Sequence, residues 1–264
     1  RSYISLVRLC LISDRALHAP ESTVHVFRLS HIAASFVCAY LLERGANVQP
    51  VAHSGPLYPD ELHVLGTELK LCNPYQLDEW ETYKTMMNCP SVEFWGPQEL
   101  PEMIKAYPTT DHSRRNESVG VYTQGYWLRG LLRTSNSDVL AQAQRAEEEM
   151  LRILVARCTS QGDGGKLSVF LHPIERKHLE KSTEYYRGIA PEDVLCIRHD
   201  DSKSSILSFE DVGVGVTSFS TVGFDRIYMG FRTIFFPLGI PWLDWDVPSN
   251  YRNLYARDAG GLEE

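Results

Sequence analysis

His172-Pro173 and the hydroxyl-rich run Thr217-Ser218-Phe219-Ser220-Thr221 are the residues of this chain best suited to chemistry. Each follows a short apolar stretch and precedes a helix-like one. A histidine in that place can donate to a phosphate or protonate a leaving oxygen; it can equally be a satisfied structural residue beside a helix start. At 217–221, free backbone N–H groups and the helix dipole would favour an anion, and the hydroxyls add donors. Ser218 or Ser220 can alternatively do no more than cap the helix. Singly, the structural readings are the stronger ones. Together on one edge, both features suit a phosphate.

The elements that would position them alternate in type. Ser118–Tyr122, Leu167–Leu171, Val194–Ile197, Val212–Thr217 and Thr233–Phe236 read as short strands, apolar on both faces. Between them, Asp138–Arg157, Ile174–Tyr186, Ser204–Phe209 and Ser220–Met229 read as helices, with Pro173 favourable near a helix start. This alternation predicts a doubly wound parallel α/β sheet over about 116–240. Ligands of such sheets bind outside the carboxyl ends of the strands. That rule selects Thr123-Gln124-Gly125, His172-Pro173, Arg198-His199-Asp200 and the 217–221 run, all on one edge.

The first half is less regular. Ile4–Ser13 reads as a strand, Phe27–Arg44 as a helix stopped by Gly45, and Asn47–Ala52 as a second strand, an opening βαβ unit. Residues 54–115 carry seven prolines and are expected to be irregular, with Tyr107–Asn116 as the linker. The predicted domains are therefore 1–115 and 116–264. The chain begins with Arg and its first residues already look like a strand, so a piece of a longer protein is expected.

Composition narrows the classes. The 264 residues are 43% hydrophobic and 23% charged, which excludes a mainly disordered or collagen-like chain. A net charge of −8 offers no electrostatic reason to bind nucleic acid. The six cysteines form no CxxC and read as reduced thiols of a cytosolic protein. No apolar run reaches the roughly 18 residues of a spanning helix. Gly213-Val-Gly215 lacks the rest of a dinucleotide fingerprint, and Asp244-Trp-Asp246 is a weak metal signal beside a diphosphate. No metal and no cofactor is expected.

The stretch Leu171–Pro237 resembles the donor domain of GT-B-fold transferases that use cytidine-nucleotide donors. Bacterial sialyltransferases and polysialyltransferases carry an HP motif followed by a Ser-rich motif, matched here by His172-Pro173 and by Ser218, Ser220 and Thr221. CDP-glycerol polymerases carry a similar pair, the second like Asp211–Asp225. The resemblance implies two Rossmann-like domains facing a cleft, with an acceptor-side domain at 1–115, reduced or trimmed, and a nucleotide-donor domain at 116–264. His172, Ser218, Ser220 and Thr221 would bind the donor phosphate. Thr123, Gln124 and Gly125 would lie near the nucleotide, and Arg198 near the base. The acidic motif that supplies the catalytic base in sialyltransferases is absent from 1–115; Asp14 is the best positional substitute, with His18, Glu21 and His53 as alternatives.

The implied activity is metal-independent, inverting transfer of a sugar from a CMP- or CDP-linked donor to a glycan acceptor, in the cytoplasm and compatible with peripheral association at the inner face of a membrane. Two alternatives stand beside it: a UDP- or GDP-sugar transferase of the same fold, and a non-catalytic scaffold.

Overall fold

A computed structural model describes residues 23–27, 32–52, 65–85, 87–97, 100–108, 118–132, 138–160, 166–198, 205–218, 220–237 and 255–256. Contacts divide the chain into two compact units, Arg1–Leu100 and Pro101–Glu264. The strand expected at Ile4–Ser13, most of the expected linker and the Asp244-Trp-Asp246 motif lie outside the described residues.

In the first unit, β1 (Thr23–Val26), α1 (Ile32–Glu43) and β2 (Asn47–Pro50) form a parallel βαβ unit. Gly45 ends α1 in the left-handed region at φ +76°, with Gly45 N–H donating to Leu42 O and Ala46 N–H to Leu41 O. That double bond closes the last helical carbonyls, and only glycine adopts the conformation without strain. β1 has no counterpart among the strands expected from sequence, because Thr23 and His25 interrupt the apolar run that marks the other four-residue strands.

The proline-rich stretch is more ordered than its composition predicts. β3 (Leu69–Leu71), α2 (Tyr75–Tyr83) and β4 (Val92–Phe94) form a second parallel pair, bridged to the first by Val51 and Lys70. Pro74 sits at the start of α2, where a missing N–H costs nothing, so it punctuates this segment and does not break it. Cys38, Leu41 and Val48 form one small core; Ala52, Leu69, Leu71, Met87 and Cys89 form another.

α3 (Leu100–Ala106) starts at the boundary residue and runs into the second unit, followed by β5 (Val119–Tyr122), α4 (Tyr126–Leu132), α5 (Asp138–Ser160) and β6 (Leu167–Phe170). Then come α6 (Pro173–Arg176), α7 (Leu179–Arg187), β7 (Leu195–Arg198), a 3-10 helix over Ser205–Asp211, β8 (Val214–Thr217), α8 (Thr221–Tyr228) and β9 (Thr233–Phe235). The five strands are parallel in the order β7-β6-β5-β8-β9. The helix expected over Ile174–Tyr186 is two, parted at Lys177 and His178, where His178 leaves helical geometry at φ −129° and ψ 44°.

Alternation along each strand loads both faces. Val121, Val169 and Val216 pack with α4, α5 and α7 through Leu128, Met150, Leu151 and Tyr186. Their neighbours Tyr122 and Phe170 pack the other way, with Met103, Tyr107, Phe209, Met229 and Phe231. Side chains of period two therefore meet apolar cover on each side, which makes the sheet doubly wound. The chain order reverses between β5 and β8, and there the connections leave in opposite directions.

Arg226 of α8 is fully buried and cross-braces this second layer. Its guanidinium donates to Tyr122 Oη, Phe209 O, Val212 O and Arg232 O, and lies over the rings of Tyr122, Phe209 and Phe231. A side chain at Gly215 would overlap Arg226, with Nε 2.4 Å from the added Cβ, so glycine here admits the arginine.

Candidate functional site

Three strand ends meet around the switch point. β5 runs into Thr123-Gln124-Gly125, β6 into Leu171-His172 and β8 into Ser218 and Ser220. Thr217 Oγ1 donates to Tyr122 O across the gap between β5 and β8 and accepts Ser220 N–H, which ties these ends together.

His172 is the N-cap of α6, with Pro173 in the first helical position. Its Nδ1 accepts the Ile174 N–H at 3.2 Å. With Nδ1 assigned as the acceptor of this capping bond, the neutral ring carries its proton on Nε2. Arg129 Nη2 of α4 lies 3.1 Å from that Nε2. In that tautomer Nε2–H and the guanidinium are both donors; the Nδ1–H tautomer would instead let Nε2 accept from Arg129. Burial first, then the charges of Arg129 and Arg176, hold the imidazole down to about 4, so it is uncharged at neutral pH. An anion oxygen seated beside Nε2–H and the guanidinium would accept from both.

Behind this pair lie two buried carboxyl groups. Glu175 is fully buried and accepts His172 N–H (2.9 Å), Thr123 Oγ1–H, Trp127 Nε1–H (2.6 Å) and Tyr186 Oη–H (2.6 Å). Glu147 of α5 accepts the Gln124 N–H at 2.8 Å. Burial and the neighbouring Glu175 charge push Glu147 well above the usual carboxylate range.

Three buried side-chain donors at this edge have no partner among the described residues: Gln124 Nε2, Arg129 Nε and Ser218 Oγ. Buried polar groups are almost always bonded, so donors left open at neighbouring strand ends mark places where something polar completes the set.

The residues selected from sequence fall as follows. Thr123 is buried, its hydroxyl bonded to Glu175 and accepting His172 N–H. Gln124 turns an unsatisfied amide inward, and Gly125 holds φ +62° with a virtual Cβ 3.0 Å from both Glu175 and Ile174. Ser220 caps α8, its Oγ accepting Val222 N–H at 3.4 Å, while Ser218 Oγ stays unpartnered and Thr221 is exposed on the first turn. Arg198 is exposed at the end of the edge strand β7, in register with Phe170. Asp14, His18, Glu21 and His53 lie outside the described residues.

Arg129, Glu147 and Glu175 escaped the sequence reading. Glu175 carried a legible signal, since a glutamate in the third helical position completes a capping box. Arg129 lies one turn beyond Gly125 with no motif to mark it. Among the described residues, no group of three or more His, Cys, Asp or Glu could hold a metal ion, and no helix is long and apolar enough to cross a membrane.

No family model matches the chain, and no curated protein matches it. Among solved structures, the chain is similar to an alpha,alpha-trehalose 6-phosphate synthase from Burkholderia multivorans, at TM-score 0.50 and 12% identity, over 89% of this chain and 61% of that one. It is likewise similar to an alpha,alpha-trehalose-phosphate synthase (UDP-forming) from Burkholderia vietnamiensis, at TM-score 0.50 and 12% identity, over 99% and 68%. The chain spans less than two-thirds of the first of these enzymes. The likeness shows the fold, an α/β architecture of the GT-B type with a parallel five-stranded sheet.

Proposed function

We propose that this chain is a glycosyltransferase that takes a sugar from a nucleotide-linked donor and passes it to a hydroxyl of a glycan. The observation that carries this is a set of buried donors without a partner at neighbouring strand ends of the switch point, Gln124 Nε2 after β5 and Ser218 Oγ after β8, together with Arg129, whose Nε is likewise unpartnered and whose Nη2 lies 3.1 Å from His172 Nε2. In an open α/β sheet that crevice is where nucleotides bind. The donor set is cationic and hydrogen-rich, which suits a phosphate.

In this reading the acceptor oxygen forms a bond to the anomeric carbon while the bond from that carbon to the phosphate oxygen breaks. The leaving phosphate keeps the electron pair. Arg129 and the neutral His172 Nε2–H accept the growing charge as fixed donors, and the α8 terminus at Ser220 and Thr221 adds its dipole. Those groups supply charge compensation from the chain itself, which makes metal dispensable where a single phosphate leaves, as with a CMP-linked donor. Asp14 retains the role of acceptor base by its position in the sequence. Arg198 is assigned to the nucleotide side. Acceptor contacts belong to residues 1–115 and donor contacts to 116–264.

The donor is a UDP-sugar, in line with the UDP-forming synthase from Burkholderia vietnamiensis to which the chain is similar. A CMP- or CDP-linked donor is the second reading, favoured by the His-Pro and Ser/Thr pair at 172–173 and 218–221. Thermal shifts with UDP, UMP, CDP and CMP separate the two. Transfer assays in EDTA with UDP- and CMP-sugars follow, on wild type and His172→Ala. The reading expects one nucleotide class to stabilise the protein and His172→Ala to lose most turnover. Stabilisation by none of the four would overturn it in favour of a scaffold. Unchanged turnover in His172→Ala would remove the phosphate role of that residue.

A further inference from the structure

Glu175 has no part in the transfer chemistry, yet the site is built around it. Its carboxylate is fully buried and receives two donors on each oxygen: His172 N–H and Thr123 Oγ1–H on Oε2, Trp127 Nε1–H and Tyr186 Oη–H on Oε1. Burial and the two carboxyl groups nearby raise Tyr186 far above the ordinary phenol range, so it stays a donor. A set made only of donors needs an acceptor at both oxygens. A carboxylate meets that need, and a carboxamide would turn an NH2 against one pair.

The four donors come from different parts of the unit. Thr123 follows β5, His172 follows β6, Trp127 lies on α4 and Tyr186 on α7. The turn after β5 also wraps the carboxylate: a Cβ at Gly125 would stand 3.0 Å from Glu175 Cγ. With the His172 backbone held, the Ile174 N–H bond to Nδ1 fixes the ring, and Nε2 is left facing Arg129. The charged groups around the ring are Arg129 from α4, Arg176 and Glu175 from α6, with Glu147 of α5 behind the Gln124 amide.

We infer that Glu175 is a positioning residue: its buried carboxylate locks the ends of β5 and β6 together, so that His172 meets the donor phosphate as a neutral Nε2–H donor beside Arg129. The phosphate in this statement rests on the transferase reading above; the lock itself does not.

Long-range proton–nitrogen spectra of His172 across pH, with calorimetry of UDP and CMP binding, test it on wild type, Glu175→Gln and Thr123→Val. Wild type is expected to show a single Nε2–H tautomer that does not titrate between about pH 5 and 8. Glu175→Gln is expected to show mixed tautomers and nucleotide affinity about tenfold weaker. A folded Glu175→Gln protein with the wild-type tautomer and affinity would overturn the inference. Should that variant not fold, Thr123→Val, which frees one strand end from the carboxylate, decides: mixed tautomers support the lock and an unchanged signature overturns it. Wild-type protein that shows the tautomer lock, lost in Glu175→Gln, while binding no nucleotide would support the lock and remove the transferase reading.

Discussion

The two units each contain a strand that turns into a helix through a proline, at Asn73-Pro74-Tyr75-Gln76 and at His172-Pro173-Ile174-Glu175. In both, the residue two past the proline is fully buried and folds an oxygen back onto strand-end amides. Gln76 Oε1 accepts Cys72 N–H at 2.8 Å and Asn73 N–H at 3.1 Å, both within its own corner. Glu175 accepts one amide of its own corner and three side-chain donors from elsewhere. The same local device thus serves two ends. A neutral amide suffices where the cap is local. A charge is buried only where many donors surround it, because a lone buried carboxylate would be too costly. That charge ties two strand ends into one rigid edge, and this is the edge that carries His172 and Arg129.

The largest expected effect separates the two corners directly. Glu175→Leu orphans four donors and should cost about 4 kcal/mol, against about 1–2 kcal/mol for Gln76→Leu. Urea melts followed by hydrogen exchange at Val121 and at Leu71 would assign each loss to its unit. Equal costs would break the comparison.

Next come the glycines. Gly45 and Gly125 both hold positive φ, but a Cβ at Gly45 meets open space while one at Gly125 meets Glu175 and Ile174. Gly45→Ala should cost about 1 kcal/mol and Gly125→Ala about 2–3 kcal/mol, measured by the same melts. A smaller loss at Gly125 would show that the turn after β5 is not held against the carboxylate.

A pH series sharpens the role of the histidine. His172 falls from 6.5 to about 4 on folding, so its contribution is present above 6.5 and is lost as pH falls toward 4. His172→Asn keeps a capping side chain without the titration. The difference in melting temperature between wild type and this variant should therefore change between pH 7.5 and pH 5, with wild type losing ground at the acid end. A constant difference would mean that the ring is not buried in neutral form.

The smallest effect lies at Lys70. This residue is buried on β3, but its ammonium reaches Glu68 and Glu93, and Glu93 is exposed. Lys70→Met should change stability by about 1 kcal/mol or less, because the charge is already shared with the surface. A loss as large as that of Glu175→Leu would show that the first unit also depends on a buried charge.

Much of this molecule was legible before folding. Gly45 was recognisable as a helix stop, Pro173 as a helix start, and β5, β6, β7, β8 and β9 as short runs apolar on both faces. The strand-end rule also placed His172, Ser218 and Ser220 on one edge. In contrast, β1, β3 and β4 are three or four residues long, as β5–β9 are, but carry Thr23, His25, Lys70 and Glu93, which break the apolar run, and the prolines around β3 and β4 suggested irregular chain. Arg129 and Glu147 were invisible as site residues because each sits on a helix whose own spacing explains it, whereas Glu175 was legible as a capping-box glutamate but not as the hub of four donors.

What the sequence by itself determined is local: where helices start and stop, which runs are apolar enough to be buried strands, and which polar residues follow them. These depend on neighbours a few positions away. Tertiary structure alone decided the strand order β7-β6-β5-β8-β9, and with it which strand ends meet at the switch point, since parallel pairing joins segments far apart in the chain. It also decided that Glu175 would be a lock. The worth of a buried carboxylate lies in the donors that reach it, and those at Thr123 and Trp127 stand 52 and 48 residues away.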